Sequence, residues 1–421
     1  MKKEIIILAV ILIILSLVKP VKIWDEYVYL LNGRYFSGEK LYFEEIRPPV
    51  LPLSVSVFYF LHLGFLANFL PAFFLALLSV SLFFYSKDFL KEKAAYPVLL
   101  LFSFPVVLLY GTRLLTDVPS AAFFIASLLF MKEHTKNNKE TPLYLSFFFA
   151  SLTALTRYPS GLVYPIIICL YFLFVKKVNW KILLLSQLFF ILPILVWLNF
   201  IGLTAITNAL IWSGLPSDGL YYIYNIPYIL GFTILLLPFS SGYKYEKKDL
   251  WYLIPLITML SFFQIFQHKE FRFMIQILPF LSIFLIKSLK FKEQTLTIIL
   301  LAFIVINFVA VLYSFYQNQT TCNYDTVIGE FTDYFSTKNG TILTNFMPLC
   351  SYYLGRSCPV LSYLPEWLSL RISELNASYI AVSNAYSHPP YASNLSYFSN
   401  YSMDKLINGT CEQIFIYSIP R

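Results

Sequence analysis

Charge is what this chain has least of. Of its 421 residues only 13% are Asp, Glu, Lys or Arg, whereas 58% are hydrophobic and 19% aromatic. A soluble globular domain carries about a quarter charged residues, so a water-soluble fold is excluded. Glycine is sparse as well, with 14 in all, and no Gly-rich phosphate loop occurs, which argues against a nucleotide site. Cysteine is nearly missing before residue 317, where only Cys169 occurs, inside an apolar run where packing is its expected role. Arginine is absent from every lysine cluster. The net charge of +8 is therefore unevenly distributed, and that distribution does not suit nucleic acid.

Present in abundance are apolar runs from residue 4 to residue 316. A bilayer core of about 30 Å takes roughly 20 such residues per helix. The first run, Ile5–Val18, is followed by Lys19-Pro20-Val21-Lys22 rather than by a small-residue cleavage site, so it reads as a retained first span. Lysines gather in five short loops, around 87–93, 132–139, 176–181, 244–248 and 287–292, which with Lys2 and Lys3 hold 17 of the 23. The positive-inside rule sets these loops in the cytoplasm. All eight arginines then fall on the other side, where a bidentate fork suits phosphate or carboxylate. With the N-terminus inside, parity gives about eleven transmembrane helices: the first run, then about 67–86, 94–110, 117–131, 143–156, 159–175, 182–201, 226–240, 250–266, 273–289 and 295–316. An interfacial or re-entrant helix over 50–65 precedes the second. The expected division is 1–316 for the membrane domain, including an outer loop 20–66, and 317–421 for an extracytoplasmic domain.

The tail differs in character. Cys322, Cys350, Cys358 and Cys411 form an even set on the outer side, consistent with two disulfides. Three connectivities are possible, and Cys350–Cys358 with Cys322–Cys411 is preferred. Six Asn-x-Ser/Thr sequons (Asn318, Asn339, Asn376, Asn394, Asn400, Asn408) fall in the tail and none before it, which points to N-glycosylation outside the cytoplasm. Apolar runs at 341–344, 379–382 and 414–418, with a helical stretch over 365–375, predict a small α/β domain.

Mixed charge collects at the outward ends of spans. Asp25-Glu26 follow the first run, and Glu45-Ile46-Arg47-Pro48-Pro49 close the same loop. Asp25 has two readings, a general base for an acceptor hydroxyl or amide, or a helix cap. Arg113 and Asp117 are four apart, side by side if the turn is helical, as a site or as a salt bridge. His268-Lys269-Glu270-Phe271-Arg272-Phe273 is the densest cluster: Lys269 and Arg272 on one helical face could clamp a phosphate, with Glu270 orienting them. Arg157 adds a cation from another span end. Carboxylates and cations together suit transfer from a lipid-phosphate donor, whose leaving group needs charge stabilisation.

These motifs resemble the GT-C superfamily of polytopic glycosyltransferases. Asp25-Glu26, Glu45-Ile46-Arg47-Pro48-Pro49 and Thr116-Asp117-Val118-Pro119 look like the protein O-mannosyltransferase and aminoarabinose-transferase branch. His268-Lys269-Glu270-Phe271-Arg272-Phe273 is similar to the His-Lys-Glu-x-Arg-Phe motif of the lipid-linked-oligosaccharide and GPI mannosyltransferases. The resemblance implies an α-helical polytopic membrane glycosyltransferase moving a hexose such as mannose from a polyprenyl- or dolichyl-phosphate donor. The acceptor would be a glycan, lipid or protein, the displacement inverting. It gives Asp25 the role of base with Glu26 beside it, Asp117 that of second acid, and Arg113, Arg157, Lys269 and Arg272 the donor phosphate. Glu45, Arg47, His268 and Glu270 become substrate contacts. Some members hold Mg or Mn between such acids and others need none, so the metal stays open. The implied setting is a prokaryotic plasma membrane, an archaeal one included. A transporter or flippase for lipid-linked sugars is the alternative; it predicts acids buried mid-helix and inverted repeats. A bare anchor displaying the tail would leave the arginine–acid pairing unexplained.

Overall fold

The computed structural model describes residues 22–203, 207, 218–266 and 268–420, with the side chains of 318–321 set aside. The first apolar run, Ile5–Val18, lies outside the described residues. The described chain divides into two compact units, one of Glu45–Val311 and the other of 22–44 with 312–420.

The first unit is helical. Helices Leu70–Leu90, Asp117–Asn137, Glu140–Thr156, Val163–Phe174, Trp180–Ile201, Leu250–Ile265, Leu278–Ser288 and Glu293–Thr321 follow the apolar runs. By length and composition alone, three described helices are long and apolar enough to cross a membrane: those within Gly64–Phe102, at Trp180–Ile201 and within Glu293–Gln317. Their outer faces are apolar; Leu184 and Val196 are 65% and 70% exposed, an arrangement that lipid tolerates and water does not.

The expected span 94–110 is broken into Tyr96–Phe102 and Pro105–Gly111. Pro105 forces Phe104 out of the helical region, to ψ 125°. The Ser103 carbonyl freed by the break accepts from the Asn307 side-chain amide at 2.5 Å. Gly231 crosses the same place at φ +54°, where a Cβ would sit 2.5 Å from Pro105. Residues 226–240 are likewise interrupted, as a short helix Ile226–Leu230 and a 3-10 segment Gly231–Gly242.

Charge alternates from end to end of these helices. Asp117 opens a 21-residue helix whose last turns carry Lys132 and Lys136, about 22 and 29 Å away at 1.5 Å per residue. Glu140–Thr156 returns to Arg157, and Leu250–Ile265 runs from Asp249 toward His268. The lysine ends also hold carboxylates. Lys132 is buried and bonds Asp88 at 2.9 Å and the Tyr85 carbonyl at 2.6 Å. Lys287 holds the fully buried Asp249 at 2.6 Å. Cys169, by contrast, is exposed rather than packed.

The second unit contains a four-stranded sheet ordered β1-β2-β4-β3, with β1 Thr341–Thr344, β2 Ala377–Ser383, β3 Ser402–Asn408 and β4 Gln413–Ser418. β1 and β2 are parallel and the other pairs antiparallel. The polar edge strand β3 is the one that apolar patterning misses. The cystines are Cys322–Cys411 and Cys350–Cys358, the preferred pairing. Asn339, Asn376, Asn394, Asn400 and Asn408 are all exposed. Residues 22–44, expected with the membrane domain, cluster instead with this tail. The physical reason is Tyr27, 1% exposed within the tail's core beside Phe331 and Phe346, with Trp24 packed against it.

Candidate active site

In the first unit, three chain segments bring their charged residues to one place. Asp117 is the first residue of its helix, where the helix dipole favours a carboxylate, and it is 1% exposed. Arg157 follows helix Glu140–Thr156 in an extended conformation, φ −156°, because that helix stops at Thr156 ahead of Tyr158-Pro159. Its guanidinium pairs with Asp117 and lies 3.8 Å from the Phe273 ring centre. Arg272 approaches the other Asp117 oxygen at 3.9 Å. It also grips Glu270 with two nitrogens, Nε at 2.6 Å and Nη2 at 2.9 Å. His268 Nε2 meets the same carboxylate at 2.7 Å.

Lys269 points elsewhere. It is buried, and its ammonium donates to the Asp218 carbonyl at 3.2 Å. Residues 268–270 are non-helical and Phe271–Gln276 is a 3-10 turn, so the expected single helical face shared by Lys269 and Arg272 does not exist. The expected helical turn joining Arg113 to Asp117 is absent too, since Pro105–Gly111 has ended and the next helix starts only at Asp117. Arg113 nonetheless belongs to the cluster's surroundings: the Tyr110 hydroxyl lies in the fields of Arg272, Glu270 and Arg113.

Several residues here carry no sequence signal. Tyr222 donates to the Glu270 carbonyl at 3.3 Å, and Tyr221 and Tyr228 stack on Phe271 at 5.5 and 6.0 Å. Beneath the charges, the Gln276 amide donates to Ser120 at 3.1 Å and to Ser160 at 2.6 Å. Ser120 follows Asp117 by three residues, Ser160 follows Arg157 by three, and Gln276 follows Arg272 by four. One buried amide therefore ties together the three segments that carry the ion cluster.

The second unit holds Asp25 and Glu26, in the first turn of helix Trp24–Phe36. Capping falls to Glu26, whose carboxylate is buried and accepts from the Ile23 N–H at 3.0 Å; Asp25 is half-buried beside it. The Asn32 side chain bonds both backbone groups of Glu44, at 3.0 and 2.9 Å, folding the loop back onto its helix. Glu45 is exposed and Arg47 half-buried, in the turn ahead of Pro48-Pro49 in the first unit.

A divalent metal does not suit the first-unit donors. Among the described residues no group of three potential metal ligands occurs. The Asp117 and Glu270 carboxylates are also already compensated by Arg157 and Arg272. Arg157 and Arg272 match Asp117 and Glu270 one for one, while Lys269 is turned to the Asp218 carbonyl.

Residues 47–212 match the family model described as dolichyl-phosphate-mannose-protein mannosyltransferase. No curated protein sequence matches the chain. Among solved structures, ArnT from Cupriavidus metallidurans in the apo state is similar with a TM-score of 0.71 at 12% identity, covering 98% of this chain and 96% of that one. The same protein bound to undecaprenyl phosphate gives 0.68 at 13% identity, covering 98% and 97%. The archaeal oligosaccharyltransferase AglB from Archaeoglobus fulgidus, in complex with an inhibitory peptide and a dolichol-phosphate, gives 0.57 at 10%, covering 99% and 74%. The chain thus has the fold of these proteins, mostly helical with a small C-terminal sheet domain.

Proposed function

We propose that the protein is a membrane glycosyltransferase that moves a sugar from a polyprenyl-phosphate carrier to an acceptor outside the cytoplasm. The observation that carries this reading is the convergence on buried Asp117 of Arg157 and Arg272 from separate segments, with the Arg272 fork turned to Glu270. Two solved relatives in fold hold undecaprenyl phosphate and dolichol-phosphate, which supports a lipid phosphate as the anion here. The matching family description supports a hexose such as mannose as the sugar.

In the proposed reaction the acceptor oxygen or nitrogen attacks the anomeric carbon and gives its proton to Asp25. The bond from that carbon to the phosphate oxygen breaks with its electron pair, and the configuration inverts. Charge developing on the departing phosphate is met by Arg272, whose fork now holds Glu270 in two-pronged fashion much as it would hold two phosphate oxygens. Arg157 holds Asp117 in place. Exposed sequon asparagines in the tail support an extracytoplasmic tail. Asp117 stands at a helix start rather than mid-helix, which favours transfer chemistry over a transporter.

Binding of polyprenyl phosphate to the purified protein tests the phosphate assignment. Arg272→Ala removes a charge-assisted contact worth about 1.5–3 kcal/mol, so affinity should fall by about 10- to 100-fold. Undiminished binding by the variant contradicts the assignment.

A further inference from the structure

The first turn of helix Trp24–Phe36 is built into the tail's core. The Tyr27 hydroxyl lies 2.7 Å from that of Tyr353, and its ring is 5.1 Å from Tyr352 and 5.6 Å from Tyr353. Trp24, three residues earlier and on the same helical face, packs 5.3 Å from Tyr386. The Tyr386 hydroxyl in turn meets that of Tyr324 at 2.8 Å. Asp25 sits between these two anchors. Tyr352 and Tyr353 themselves occupy the last turn of helix Met347–Leu354. The Cys350–Cys358 disulfide closes that turn onto the chain that follows, and the Cys358 N–H donates to Ser351 Oγ at 3.1 Å.

We infer that Tyr353, held by the Cys350–Cys358 disulfide, is a positioning residue for Asp25, which makes the tail part of the transfer machinery. The inference rests on the reading of Asp25 as the base. A base acts only within hydrogen-bond reach of the proton it takes, and a displacement of about 1 Å arising away from the chemistry costs about 100-fold. The helix carrying Asp25 is gripped on either side of that residue by rings from the tail, so its angle is set by them. The disulfide spans only eight positions and fixes the turn that supplies two of those rings. A display domain would need no such grip on a loop about 300 residues away in sequence.

The test uses the full-length protein with a polyprenyl-phosphate sugar donor and compares Tyr353→Phe, the pair Cys350→Ser with Cys358→Ser, and Asp25→Asn. Tyr353→Phe should lower kcat about 3- to 10-fold, in line with one lost hydrogen bond, while the KM for donor stays within about twofold. The cysteine pair should lower kcat further, by about 10- to 100-fold. Thermal midpoints report folding separately. A lower midpoint with unchanged kcat per folded molecule would show a purely structural role and overturn the inference. If the cysteine pair fails to fold, Tyr353→Phe decides alone. Asp25→Asn separates the two levels of the account. An active Asp25→Asn overturns the base and the positioning together, whereas an inactive Asp25→Asn with wild-type kcat in folded Tyr353→Phe overturns the positioning only.

Discussion

The buried carboxylate of Asp117 is paired with Arg157 from the end of the neighbouring helix, and the arginine is held from behind by the face of Phe273. Removing one partner of such a pair strands the other charge, at a cost of about 3–5 kcal/mol. Arg157→Ala should therefore lower the thermal midpoint sharply in detergent. The double variant Asp117→Asn, Arg157→Gln should be more stable than Arg157→Ala alone. A double variant no better than the single one would mean that the pair contributes little.

Gln276 joins the three segments through Ser120 and Ser160. Gln276→Met keeps the volume and loses two hydrogen bonds of about 1 kcal/mol each. Unfolding measurements should show a loss of about 1–3 kcal/mol, and kcat should fall severalfold because the cluster loosens. Stability lost with kcat intact would confine Gln276 to a packing role.

The helices and the sheet strands were largely legible from the sequence, because long apolar runs and short β-branched runs specify both. Helix Trp180–Ile201 fell within two residues of its expected start, and strand Thr341–Thr344 on its expected bounds. The site was legible in composition but not in geometry. Arg113, Asp117, Lys269 and Arg272 were marked by being charged at span ends. Their supposed helical neighbours, however, depended on turns that are absent after Gly111 and across the extended segment 268–270. Arg157 as the partner of Asp117, and Gln276 beneath both, are long-range contacts that no local period encodes. The same holds for residues 22–44, whose place with the tail is decided by two aromatic rings.

Glu270 occupies the fork of Arg272 as a phosphate would. Glu270→Gln weakens that internal competitor, so steady-state kinetics should show a lower KM for the donor. If Glu270 instead orients the acceptor, kcat will fall and the donor KM will stay put. Kinetics at saturating acceptor distinguish the two.

Stability of the tail should depend on pH through Glu412. Burial raises its carboxyl above the ordinary 4.5, offset in part by donation from Ser383 at 2.5 Å. A carboxyl raised in the folded state favours folding below the unfolded value, and that contribution is lost as pH rises through the folded one. Glu412→Gln should therefore raise the thermal midpoint near neutral pH and flatten its decline above about pH 4.5. A variant less stable than wild type at neutral pH would reverse the sign.

The most direct measurement is transfer of radiolabelled sugar from a polyprenyl-phosphate donor in membranes, with glycan, lipid and protein acceptors, comparing wild type with Asp25→Asn. Label is expected in an acceptor for wild type, with a loss of about 100-fold or more for the variant. Transfer that continues unchanged in Asp25→Asn would contradict the assignment of Asp25 as the base.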